Sequence, residues 1–202
     1  PSSAASELYN AQAPGLRGRP AARRIPNMHG RHNVQIGQSS GGLPDHYAPR
    51  KNVIRLSAGT YGRATVGAVG VAAHECGHAV QYAAGYAPIK LRTAIVPICN
   101  IGSGLSLPLM SIGWILTMPA LIYVGIGLFA LALVFQLVTM PVEFNASRRA
   151  IATLDDSNMI TPEESQGVRK VLSAAALTYV AAMLQTLSMP PYYIFRFGGR
   201  RR

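Results

Sequence analysis

The chain has 202 residues, and at this length it forms one domain, or one compact domain with membrane helices. Hydrophobic residues make up 49% of the chain and charged residues only 13%, well below the share of about a quarter in ordinary soluble domains. The net charge of +11 comes mostly from arginines before Arg92 and after Arg148, and basic flanks around apolar segments favour a bilayer surface over nucleic acid as the partner.

The N-terminal segment 1–42 is rich in Pro, Gly, Ser, Ala and Arg, and it is predicted to be a basic, partly irregular arm. A short helix is predicted at Ala21–Met28, although Pro20 and Pro26 make it a poor one. The sequence has no initiator methionine, so we expect part of the natural start to be missing.

Two short strands are predicted at Asn33–Gly37 and Asn52–Ser57, where apolar residues recur with the period of a strand. The turn-rich loop between them carries Asp45, His46 and Tyr47. We expect the strands to form a small sheet beside the helix that follows. An edge strand of this sheet could pair with an extended peptide.

The segment 65–84 is predicted to be a helix that contains His74, Glu75 and His78 in the arrangement H-E-x-x-H. Residues four apart lie on one face of a helix, so the two imidazoles can bind one metal ion. Glu75, next to the first histidine, can take the proton of a water activated by that ion, as in zinc-dependent peptidases. The alternative is a pair of ordinary core or surface histidines.

Cys76 and Gly77 lie between the two histidines of this motif. Gly77 has no Cβ, so it allows another segment to approach the helix closely. Cys76 is two positions from each histidine and therefore points away from the ligand face. Neither Cys76 nor Cys99 has a metal-binding or disulfide spacing, so both are predicted to be reduced, buried thiols.

No charged residue occurs from residue 93 to residue 142, whereas one membrane span needs only about twenty residues. Two transmembrane helices, Thr93–Met118 and Ala120–Met140, are predicted to form an antiparallel hairpin over 93–140. Basic residues flank this hairpin on both sides, so both of its ends are expected to face the cytoplasm. The first helix carries small residues that allow close packing in lipid: Gly102, Ser103, Gly104 and Ser106.

The segment 141–189 is predicted to contain two further helices. The second has Thr161 as its cap and Pro162 at its first position, and it is expected to end at about Met189, before Pro190 and Pro191. This helix is long enough to span the bilayer, or it packs on the segment 43–92. Residues 190–202 are predicted to form a basic tail.

A catalytic zinc usually has three protein ligands, so one more is needed besides the two histidines. Glu143 is the first candidate, because a lone acid flanked by apolar residues at a membrane surface is costly unless a metal offsets its charge. A salt bridge from Glu143 to Arg148 or Arg149 is the alternative. His46 is the second candidate ligand, and its position beside Asp45 also suits a role in supporting the site or polarising the substrate.

The chemistry predicted from this set is peptide-bond hydrolysis with one Zn²⁺ and with Glu75 as general base and then general acid. The oxyanion that develops on the substrate needs a further hydrogen-bond donor. The candidates for this donor are His46, Tyr47, Tyr179, Arg148 and Arg149.

Four stretches resemble the YugP-like family of bacterial membrane neutral zinc metallopeptidases: VAAHECGHAVQ, GYAPIKLRTAIVPICNIGS, FQLVTMPVEFNASRRA and VLSAAALTYVAAML. DHYAPRKNVIRLS is similar to this family too, and the resemblance runs from about Gly15 to Leu187. It implies that His74, His78 and Glu143 are zinc ligands.

The same resemblance implies a mainly α, integral-membrane, zincin-like metallopeptidase with a small β-sheet. Its transmembrane helical hairpin would lie between the H-E-x-x-H helix and the third-ligand helix, and the segment 43–92 would be the catalytic portion with Glu75 as catalytic residue. A multi-pass location in the bacterial plasma membrane is implied, with the active site facing the cytoplasm and peptides or membrane proteins as substrates.

The sequence departs from related families in three places. A weaker similarity links it to HtpX-type stress proteases and CAAX endopeptidases, in which the fourth residue after the ligand Glu is typically Asp, whereas here it is Ser147. The family usually begins with an N-terminal membrane helix that this sequence lacks, which we expect to reflect a truncated chain. The basic segment from Arg17 to His32 also lacks the acids that the family tends to carry there.

Two other classes of function compete with a peptidase. A non-catalytic membrane scaffold or adaptor with a structural zinc site would use the basic face to hold anionic lipid or a partner. Nucleic-acid binding through the Arg-rich termini is the weaker alternative, and salt-dependent binding to DNA would identify it.

Overall fold

The computed structural model describes residues 7, 9–13, 15–40 and 43–198, with side chains up to residue 188. The described chain is mainly helical with a small sheet, and it divides into two compact units. The first unit comprises Pro1–Tyr86 and Glu143–Ala176, and the second comprises Ala87–Val142 and Leu177–Arg202.

Helix α1 spans Gly18–Met28, which includes the predicted segment Ala21–Met28. Pro20 lies in the first turn, where its missing N–H would have no helical acceptor in any case. Pro26 lies near the end of the helix, so it disturbs only the last turn. The buried face of α1 consists of small and apolar residues: Gly18, Ala21, Ala22, Ile25 and Pro26.

The sheet has three strands, β1 (Gln35–Gln38), β2 (His46–Ala48) and β3 (Val53–Leu56), in the order β1-β3-β2. Strand β1 is parallel to β3, and β2 is antiparallel to it. Both predicted strands are therefore present, with β1 displaced toward Gln38. The prediction of a plain loop around His46 was wrong, because residues 46–48 pair with β3.

Asp45 hydrogen-bonds the N-terminal end of the short helix α2 (Ala58–Tyr61). Its carboxylate accepts hydrogen bonds from Ser57 N at 2.7 Å, from Ser57 Oγ at 3.1 Å and from Thr60 Oγ1 at 3.0 Å. A carboxylate at a helix N-terminus satisfies donors that have no helical acceptor. Asp45 is thus engaged in joining the loop before β2 to α2.

Helix α3 spans Val66–Ala83 and agrees with the helix predicted at 65–84. Thr65 is its N-cap, and the Thr65 hydroxyl accepts a hydrogen bond from Ala68 N at 3.2 Å. The chain leaves the helix through Gly85, whose φ of +66° is the left-handed conformation that glycine adopts most easily. Most of α3 is buried, so it forms the centre of the first unit.

Helices α4 (Ala87–Ile115) and α5 (Pro119–Asp156) follow, with only residues 116–118 between them. The hairpin predicted at 93–140 is present, but both helices extend beyond it. In particular, α5 continues through Pro141 to Asp156, so the second span and the predicted third-ligand helix form one helix. The boundary predicted at residue 141 lies two residues before the first charged residue, Glu143, and the helix does not end there.

Helix α6 spans Pro162–Gly198 and begins with a capping box. Thr161 Oγ1 accepts from Glu164 N at 3.2 Å, and the Glu164 carboxylate accepts from Thr161 N at 2.8 Å. The start predicted at Thr161 and Pro162 is therefore confirmed. The end predicted before Pro190 was wrong, because the helix continues to Gly198.

Among the residues that the structure describes, three helices are long and apolar enough to cross a membrane, by length and composition: Ala87–Ile115, Pro119–Asp156 and Pro162–Ser188. Within the second unit, α4 and α5 approach closely at Gly125. A Cβ atom on Gly125 would lie 2.5 Å from Met110 Cγ and 2.8 Å from the Ser106 carbonyl oxygen. Small residues at such a crossing allow helices to pack in lipid.

The first unit has its own hydrophobic core around α3. Side chains from α1, β3, α3, α5 and α6 meet there, so the elements that flank the charge-free stretch in sequence share one core. The largest of these buried side chains are Ile25, Ile54, Leu56, Val69, Leu154 and Val168.

Candidate metal centre

His74 and His78 lie one turn apart on α3, as the H-E-x-x-H spacing predicts. Their ring centroids are 4.8 Å apart, and the two rings are nearly perpendicular, at 84°. His78 is buried and His74 is partly buried. The helix therefore presents two imidazoles side by side, with limited access for water.

Glu143 reaches these histidines from α5. The Glu143 Oε2 atom lies 3.0 Å from His74 Nε2 and 3.6 Å from His78 Nε2, and only 4% of the residue is exposed. The approach of α5 depends on Gly77, because a Cβ there would lie 2.5 Å from the carbonyl oxygen of Ala146. The sequence prediction that Gly77 permits a close approach is thus confirmed.

The three side chains form a group that can hold a metal ion, since their ligand atoms all lie within 4.8 Å of one another. Ligand atoms about 2.1 Å from a tetrahedral ion lie about 3.4 Å apart. The distances from Glu143 Oε2 to the two Nε2 atoms, 3.0 Å and 3.6 Å, fall on either side of that value. Two imidazoles and one carboxylate are also the donor set of many catalytic zinc sites. The residues present therefore fit zinc.

Each histidine is also held through its second ring nitrogen. His74 Nδ1 lies 3.0 Å from Ser147 Oγ, and His78 Nδ1 lies 3.0 Å from Gln81 Oε1. Outer partners of this kind orient metal-binding histidines. The two Nδ1 atoms are engaged away from the group, and the two Nε2 atoms face Glu143.

Glu75 is buried beside the same group, with 8% of the residue exposed. Burial raises the pKa of its carboxyl above the usual value, and the nearby His78 and His74 offset part of this effect. A raised pKa brings a carboxylate closer to the range in which it both takes and returns a proton near neutral pH.

Cys76 points to the opposite side of α3, as its position in the motif predicts. Its thiol donates to the Ala22 carbonyl oxygen of α1 at 3.5 Å, and complete burial raises the pKa of the thiol well above the usual value. Cys76 and Cys99 are both buried and free. The prediction of two reduced, buried thiols agrees with this arrangement.

His46 lies outside the group of possible ligands. The group comprises His74, His78 and Glu143, and His46 Nδ1 instead lies 2.9 Å from the Pro44 carbonyl oxygen. The Asp45 carboxylate hydrogen-bonds Ser57 and Thr60. A role for His46 in polarising the substrate stays a prediction.

The other predicted oxyanion donors lie in varied surroundings. Tyr47 is partly buried in β2, and its hydroxyl donates to Asn52 Oδ1 at 2.9 Å. Arg149 Nε donates to Asn145 Oδ1 at 2.8 Å, whereas Arg148 is exposed. Tyr179 belongs to the second unit. The identity of the oxyanion donor therefore stays a prediction.

Sequence reasoning missed Gln81 and Asn145. Gln81 Nε2 donates to Asn145 Oδ1 at 3.0 Å, which extends the contact from His78 on α3 to α5. The position of Gln81, three residues after His78 and so on the same helical face, was the available signal. For Asn145, the only signal in the sequence was its position two residues after Glu143.

Comparisons with known proteins likewise indicate zinc. Residues 4–198 match the family model described as "Putative neutral zinc metallopeptidase". The chain is 45% identical over 173 residues to the protein named "Putative membrane protease YugP" from Bacillus subtilis (strain 168), a match that covers 86% of this chain and 77% of that protein. No solved structure matches the chain significantly.

Proposed function

The chain belongs to this family of zinc metallopeptidases, and from that membership we propose that it is a membrane-bound, zinc-dependent endopeptidase. One Zn²⁺ would be held by His74, His78 and Glu143. The observation that carries the proposal is the convergence of two Nε2 atoms on the Glu143 carboxylate, while both Nδ1 atoms are hydrogen-bonded elsewhere.

Zinc bound by these ligands would lower the pKa of a water and polarise the scissile carbonyl group. Glu75 would take the proton of the attacking water, because it neighbours the first ligand and its raised pKa suits proton exchange near neutral pH. The Glu75 carboxylic acid would then return that proton to the leaving amine. Burial of the group would limit the access of bulk water to these steps.

We further propose a multi-pass location in the bacterial plasma membrane, with the metal centre facing the cytoplasm. The apolar helices α4 and α5 support the membrane location, and the basic residues at both ends of this hairpin support the orientation. Peptides and membrane proteins that present an unfolded segment at the bilayer surface would be the substrates.

The test compares the wild type with Glu75→Gln in detergent, using fluorescently labelled, unfolded casein as a general endopeptidase probe. We expect the wild type to cleave casein, and a zinc chelator to abolish the cleavage. Glu75→Gln should keep its zinc but lose at least about a hundredfold in rate, as expected for removal of a general base. Equal behaviour of the two proteins, both with zinc bound, would instead support a scaffold with a structural zinc site.

A further inference from the structure

A chain of hydrogen bonds leads from the metal centre to Arg149. His78 Nδ1 lies 3.0 Å from Gln81 Oε1, and Gln81 Nε2 donates to Asn145 Oδ1 at 3.0 Å. Arg149 Nε donates to the same Asn145 oxygen at 2.8 Å. His78 and Gln81 lie on α3, and Asn145 and Arg149 lie on α5, so the chain of hydrogen bonds also joins the two ligand-bearing helices.

Arg149, at the end of these hydrogen bonds, determines which atom donates and which accepts in each of them. A guanidinium has only donors, so the Asn145 atom that faces Arg149 must be the amide oxygen. Gln81 can meet that oxygen only with its NH₂ group, which turns the Gln81 oxygen toward His78. An amide oxygen can only accept, so the proton of the neutral His78 ring must lie on Nδ1.

The position of this proton decides whether the other ring nitrogen of His78, Nε2, can bind a metal ion. With the proton on Nδ1, the Nε2 atom keeps its lone pair, and this atom is the one that faces Glu143. A flipped Gln81 amide would face His78 with two protons and would leave Nδ1 as the acceptor. The proton would then lie on Nε2, where it blocks a metal ion.

The partner of His74 does not impose such a direction. Ser147 Oγ lies 3.0 Å from His74 Nδ1, but a hydroxyl both donates and accepts and can rotate to suit either tautomer. Gln81 is also completely buried, so water does not readily replace its amide. The hydrogen bonds therefore determine which ring nitrogen carries the proton for His78, but not for His74.

We propose that Gln81, Asn145 and Arg149 are positioning residues that hold His78 with its proton on Nδ1 and thereby prepare Nε2 to bind zinc. This inference rests on the proposed metal centre. It assigns these residues no contact with the substrate, so their effect should be measurable as zinc affinity in the absence of any peptide.

Two matched pairs of variants separate hydrogen bonding from packing. Gln81→Met keeps the length of the side chain but removes the acceptor, whereas Gln81→Glu keeps an acceptor for His78 and loses only the donor to Asn145. Asn145→Ala removes the shared oxygen, whereas Asn145→Asp keeps an acceptor for both Gln81 and Arg149. Zinc dissociation constants of the full chain in detergent, measured by competition with a chelator, provide the comparison.

We expect Gln81→Met and Asn145→Ala to bind zinc about 10–100-fold more weakly, the usual effect of losing an outer partner of a metal ligand. Gln81→Glu and Asn145→Asp should remain within about threefold of the wild type. The visible spectrum of the Co²⁺-substituted protein should change in Gln81→Met and Asn145→Ala. It should stay like that of the wild type in Gln81→Glu and Asn145→Asp. If Gln81→Met does not fold, the Asn145 pair carries the same contrast at a half-buried position.

The double variant Gln81→Met/Asn145→Ala tests whether the residues act as one chain. Its loss of zinc affinity should be about that of Gln81→Met alone, because the second change removes a support that no longer reaches His78. Additive losses, or unchanged affinity in Gln81→Met, would overturn the inference. A wild type that binds no zinc would instead overturn the proposed function, so the two failures are distinguishable.

Discussion

Gly77 on α3 lies directly against Ala146 on α5, so closely that a Cβ atom on Gly77 would be 2.5 Å from the Ala146 carbonyl oxygen. Gly77 stands between the two histidines of the motif, and Ala146 follows Glu143 by three residues. The contact therefore fixes the distance between the helix that carries two ligands and the helix that carries the third.

Gly77→Ala should force α3 and α5 apart, because the obstructing atom belongs to the backbone and cannot rotate away. We expect zinc affinity to fall at least about tenfold, together with a loss of stability of about 1–3 kcal/mol from overpacking. Gly104→Ala is the matched control, since a Cβ at this helical glycine meets no atom within 4 Å. Chelator competition and thermal unfolding of both variants provide the measurements, and zinc affinity equal to that of the wild type in Gly77→Ala would refute this role.

Ser147 should contribute to zinc binding through His74, whose Nδ1 it contacts at 3.0 Å. Ser147→Ala removes this partner, and we expect about tenfold weaker zinc binding. Ser147→Asp supplies a stronger acceptor, which raises the basicity of the histidine, so its affinity should equal or exceed that of the wild type. Weaker binding in Ser147→Asp than in Ser147→Ala would contradict this assignment.

Glu75 should make the zinc-free protein less stable at neutral pH than its amide variant. Burial raises the pKa of the folded-state carboxyl, so ionisation of Glu75 costs stability as the pH rises through that pKa. Glu75→Gln should therefore raise the melting temperature at pH 7–8, by about 2–4 °C for each kcal/mol gained. This difference in melting temperature should shrink as the pH falls toward the ordinary pKa range of a carboxyl group. A difference that does not change with pH would show that a buried charge on Glu75 is not its cause.

Gly125 should control the packing of the α4–α5 hairpin within the second unit. Gly125→Val places methyl groups against Met110 and the Ser106 backbone, so we expect a loss of about 1–3 kcal/mol. Gly127→Val changes the helix propensity equally, but a Cβ there meets no atom within 4 Å. The fluorescence of Trp114, the only tryptophan, can follow unfolding of both variants in detergent. Equal melting temperatures would argue against this crossing.

The sequence predicted those parts of the site that depend on spacing within one element. The four-residue interval places His74 and His78 together, and the single glycine between them marks the close approach. Glu143 could be proposed from the cost of a lone acid in an apolar stretch. Gln81 and Asn145 could not be proposed from the sequence, because their roles depend on how α3 and α5 face each other. The periodicity of a single helix does not determine that arrangement.

The limits of the helices were harder to predict than their existence. The charge-free stretch shows which residues suit lipid, but a helix continues wherever its backbone hydrogen bonds are made. Helix α5 therefore passes through Pro141, and α6 passes through Pro190 and Pro191. Strand β2 has three residues, too few for an alternating pattern, so its pairing with β3 decides its structure.

The zinc content of the purified protein tests the central claim most directly. We predict about one zinc per chain in the wild type, and loss of most of it in both His78→Ala and Glu143→Ala, because each variant removes one of three ligands. Glu75→Gln, prepared in parallel, should retain the metal. A wild type without zinc after zinc has been supplied, or Glu143→Ala with its zinc intact, would contradict the account.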